Sequence, residues 1–81
     1  MRTPSLPGHR MPRLHRLHAA AMQHDYRIGL QILNDNAYMM YARDLTHRRP
    51  ILIATGRDIE YLATVLYAKL LASGYIQREG N

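Results

Sequence analysis

Eighty-one residues leave room for one small domain, and a core of that size is marginal unless a partner completes it. The absence of cysteine excludes disulfide stapling and thiolate metal sites, and no apolar run approaches the ~18 residues of a membrane span. The net charge of +5 is uneven: residues 1–24 hold Arg2, Arg10, Arg13 and Arg16 with no acid, whereas residues 25–81 carry seven bases against six acids. The expectation is a soluble, cytoplasmic protein with a basic arm and a nearly neutral domain.

Residues 1–12 contain Pro4, Pro7, Gly8 and Pro12 without apolar periodicity, which predicts an irregular basic arm; residues 13–81 form the domain. Pro12 suits the first position of a helix predicted over 13–24, with Leu14, Leu17, Ala21 and Met22 on its apolar side. From Tyr26 the period becomes two. Tyr26, Ile28, Leu30 and Ile32 alternate with Arg27, Gly29 and Gln31, predicting a half-buried strand over 26–33. Asn34, Asp35 and Asn36 read as a hairpin turn. A two-residue loop at Asp35 and Asn36 would set Leu33 opposite Tyr38 and Ile32 opposite Met39. Further strands are predicted over 37–43 and 51–54, separated by a polar loop.

The last helix, predicted over 57–73, carries Ile59, Leu62, Ala63, Leu66 and Leu70 on one side. Thr55 is its expected cap, paired with Asp58, and Gly74 suits the left-handed position that ends it. The fold class is therefore α+β: a small three-stranded antiparallel sheet packed by a C-terminal helix, in the order α-β-β-β-α. That order resembles the topology of the double-stranded-RNA-binding domain, which implies a lysine cluster at the start of the last helix, contacting RNA phosphates. Thr55, Gly56, Arg57 and Asp58 stand there instead, one base and one acid, so only the topology is shared. Leu71–Asn81 is similar to the exit of a winged-helix recognition helix, but Asp58–Ser73 contains no break for a helix-turn-helix.

No constellation for catalysis, a cofactor or a metal stands out. The acids are scattered over turns and helix ends, and neither Ser5 nor Ser73 has spaced His and Asp partners. His15 and His18, three apart with His9 and His24 nearby, read as a solvated basic face rather than a metal site, because no thiol or carboxylate joins them before Asp25. No small-molecule substrate is implied.

Apolar surface is in excess. Tyr61, Val65, Ala68 and Ala72 form a second stripe on the last helix, roughly opposite the first at about 100° per residue. Tyr38, Met39, Met40 and Tyr41 make the middle strand apolar on both faces. These eight residues are the candidate partner-binding set. The expectation is a non-catalytic protein-interaction module, an adaptor or inhibitor of a larger assembly of the kind phages and plasmids carry, and a homodimer. The alternative is a nucleic-acid-binding regulator using Arg10, Arg13, Arg16, Arg57 and the loop bases Arg48 and Arg49.

Overall fold

A computed structural model describes residues 11–77; the arm expected at the N-terminus, with Arg10, lies outside them up to residue 10. Helix α1 spans Pro12–Gln23, with the proline in the first turn where its missing N–H leaves no bond unmade. Leu17, Ala20 and Ala21 are its buried residues. Met22, expected beside them, is 68% exposed, because it falls well off the line of Leu17 and Ala21 around the helix. Asp25, at φ 61°, turns the chain into strand β1, Tyr26–Asn34.

Strands β2 (Ala37–Asp44) and β3 (Leu52–Gly56) complete an antiparallel sheet in the order β1-β2-β3. The Asn34 side chain accepts from the Asn36 amide at 2.8 Å and shapes the tight turn, with Asn34 opposite Ala37. The next pair is Ile32 with Tyr38, not with Met39, so the expected register is one residue off. Leu33 is the extra residue of a bulge. The reason lies in the core. A slip of one residue would turn Tyr41 and Arg43 beneath the helices, whereas the bulged register sets Met40 opposite Leu30 and Ala42 opposite Ile28, and buries both Met40 and Ala42.

Helix α2 spans Ile59–Ala72. Its cap is Asp58, whose side chain accepts from the Glu60 amide at 3.2 Å; Thr55, the expected cap, is part of β3 and pairs with Met39. Strand pairing carries the chain two residues further than apolar content alone suggested. At the other end Gly74 adopts φ 76°, and the Tyr75 and Gly74 amides donate to the Leu70 and Leu71 carbonyls, each at 3.0 Å. This is a Schellman ending, with Ile76 buried behind it.

Both helices lie on one face of the sheet. Leu17, Leu62, Leu66 and Leu70 are fully buried there, together with Met40 from β2, and Ala20, Ala21, Ala42, Ala54 and Ala63 let the layers approach closely. The helices run in the same direction, because Arg13 meets Glu60 and Thr64 while Arg16 meets Tyr67. Glu60 joins them. No side chain of its own segment caps α1; instead the Glu60 carboxylate accepts from the Arg13 amide at 3.1 Å and the Leu14 amide at 2.9 Å. One negative charge thus sits at the positive ends of two helices.

Glu60→Ala removes a cap from a neighbouring helix and is expected to destabilise the fold by about 1–2 kcal/mol in chemical denaturation. Hydrogen exchange at Arg13 and Leu14 should accelerate with it, and Glu60→Gln, which keeps one acceptor, should lose less.

Candidate interaction surfaces

The loop between β2 and β3 is built on a carboxylate. The Asp44 side chain is fully buried and accepts from the Thr46 amide at 2.9 Å and from the His47 and Arg49 amides at 3.1 Å. Burial on its own pushes the carboxyl pKa up. The three amides, with a contribution from nearby His47, outweigh it and lower the pKa from 3.8 to about 2. Arg49 Nε lies 4.0 Å from the same carboxylate, its Nη1 donates to the Tyr26 hydroxyl at 3.4 Å, and its guanidinium lies over the Tyr75 ring at 4.7 Å. Tyr75 in turn stacks on Tyr26 at 6.2 Å.

Arg49 is therefore a structural strut of the loop, with about a third of its side chain (34%) still exposed. Arg48 remains exposed, on a left-handed backbone at φ 55°, beside an exposed His47. The other candidate bases are elsewhere. Arg13 Nη1 donates to Thr64 Oγ1 at 3.5 Å and Arg16 lies 5.0 Å over the Tyr67 ring, the two lining a shallow cleft of about 270 Å³ between the helices. Arg57 is exposed in the turn before α2. The length of β3 separates this end from the Arg48 loop, so the described bases of the set are not gathered on one surface. His15 and His18 are exposed on α1, and His24 Nδ1 is 3.1 Å from the Ala20 carbonyl.

The apolar candidates divide into three groups. Tyr61, at 58% exposure, lies with exposed Ala68 and Ala72 along the outward side of α2, and Val65, at the border of that side, is half-buried against the core. Helix α1 packs on a different side, against Glu60, Thr64 and Tyr67, and does not cover this stripe. Met40 is 1% exposed and belongs to the core, out of reach of any partner. Tyr38 is half-buried on the helix-covered face near the hairpin, where Leu30 and Ile32 are exposed because the strands outrun the helices. Met39 and Tyr41 point to the opposite face, which no described element covers.

That open face also holds Arg27, Arg43 and Ile53, a grouping that periodicity hints at but only the register brings together. On the outer strand, Lys69 Nζ reaches from α2 and donates to the Ile53 carbonyl at 2.7 Å. Among the described residues, no three His, Cys, Asp or Glu side chains come together to hold a metal ion, and no helix is long and apolar enough to cross a membrane. No protein-family model matches the chain, and no curated protein or solved structure is significantly similar to it.

Because the folded state holds the Asp44 pKa below its ordinary value, the stability it contributes is complete above pH 3.8 and is lost as the pH falls through about 2. Unfolding followed across that acid window should show stability falling in the wild type. Asp44→Asn, which cannot ionise and turns an amide N–H₂ toward three donors, should be less stable at neutral pH and flatter across the window.

Proposed function

We propose that the protein is a small, non-catalytic interaction module that works as a homodimer, with α2 as the contact. The observation that carries this reading is the stripe of exposed Tyr61, Ala68 and Ala72, with half-buried Val65 among them, which α1 does not cover because it packs elsewhere on the same helix. Contiguous apolar surface rimmed by polar residues marks interaction sites on soluble proteins.

The spacing of the stripe suits a second copy. An antiparallel pair of α2 helices about a two-fold axis puts Tyr61 beside the partner's Ala72 and Val65 beside the partner's Ala68, a large residue against a small one each time. No member of the stripe is charged. Strand pairing through β3 is a poorer route, since Lys69 already occupies its Ile53 carbonyl. The non-catalytic reading is supported by the two most engaged carboxylates, Asp44 and Glu60, each taken up by backbone amides of the fold. The nucleic-acid alternative through the 47–49 loop loses Arg49 to Asp44 and the tyrosine pair.

Sedimentation of the wild type should reveal a dimer, and Ala68→Glu should sediment as a monomer because it would bury a charge in the helix contact. The variant monomer should keep its own stability to within ~0.5 kcal/mol, as expected at an exposed site. A wild type that stays monomeric at high concentration would remove the reading.

A further inference from the structure

We infer that the open face of the sheet is a platform for single-stranded nucleic acid, on which Tyr41 stacks against a base and Arg27 and Arg43 hold phosphates. It lies on the side of the sheet away from α2, so it goes beyond the dimer reading and does not depend on it.

Two cross-strand pairs carry the inference. The first is Arg27 opposite Arg43. Like charges directly opposed on one face of a sheet repel. Both arginines are exposed, and neither side chain has a hydrogen bond or ion pair to a described residue. None of the strand residues that alternation assigns to this face is acidic, so no carboxylate of the sheet relieves the repulsion. A phosphate placed between the two guanidinium groups would, since arginine bonds phosphate oxygens with two parallel donors.

The second pair is Gly29 opposite Tyr41. A Cβ added at Gly29 would come 2.1 Å from Tyr41 Cζ and 2.3 Å from its hydroxyl oxygen. The ring therefore lies across the glycine instead of standing away from the sheet, and Tyr41 stays partly exposed there. An aromatic ring laid on a sheet beside cations is the arrangement on which unpaired bases stack, and stacking is tolerant of sequence because every base has a π-face. Gln31 and Thr55, both exposed on this face, offer donors and acceptors to base edges.

The chemistry also decides among occupants. A second copy on this face would bring four arginines together with no acid to answer them. An acidic peptide would answer the charge but would leave the flat tyrosine unused. A paired duplex keeps its bases stacked internally and gives Tyr41 nothing to stack on.

The test uses the full chain and fluorescein-labelled oligo-dT and oligo-U of about 12 nucleotides, within the usual span of single-strand sites, with a duplex of equal length and polyglutamate as competitors. Anisotropy should show salt-sensitive binding to the single strands. Tyr41→Leu should weaken it about tenfold. Arg27→Gln/Arg43→Gln should reduce the slope of log affinity against log salt by about 1.4, two contacts at ~0.7 each. Both variants alter an exposed face, and thermal melts check that they fold; should Tyr41→Leu not fold, the arginine pair still decides. No binding at low salt would overturn the proposal. So would duplex or polyglutamate competing as well as single strands, or binding that either folded variant leaves unchanged, which would move the site to the basic arm or identify an acidic protein ligand.

Discussion

Asp44 is the group on which the rest of this small fold depends. A carboxylate with no exposure to water is costly unless its lone pairs are met, and here three amides of the following loop meet them. The loop closes around that charge, and Arg49 extends the arrangement to Tyr26 at the start of β1 and Tyr75 beyond the end of α2. Three segments far apart in sequence are thereby fastened at one corner. Without disulfides, and with a core of leucines spaced by alanines, the chain has few other ways to hold β1, the loop and the C-terminal turn together.

Glu60 has the matching role at the opposite end. It places the first turn of α1 against the first turn of α2, and parallel helices, whose dipoles repel side by side, share one negative charge at their positive ends. Among the described residues the sheet is then covered on one side only. Every inward position of β2, from Tyr38 to Asp44, works for the core or for the loop, which leaves Met39, Tyr41 and Arg43 on the face away from the helices.

Local signals were legible in the sequence. The two-residue period from Tyr26, the Asn-rich turn, the proline that opens α1 and the glycine that closes α2 each act within a few residues of themselves, so the element order could be read directly. Signals that depend on another segment could not. The bulge at Leu33 is chosen by what must lie under the helices, Thr55 is drawn into β3 by Met39, and the partners of Glu60 are 46 and 47 residues away. The candidate sites divided in the same way. The stripe on α2 followed from helical geometry, whereas the burial of Met40, the capture of Arg49 and the pairing of Arg27 with Arg43 are products of register.

The hydrogen bond from Lys69 Nζ to the Ile53 carbonyl bears on how the sheet can grow. Of the two edge strands, β3 is five residues long and already has a side chain on its backbone, while β1, at nine residues, is the longer edge. A charged side chain already bonded to its backbone makes β3 the less ready of the two edges to accept a further strand, a local guard against edge-to-edge growth.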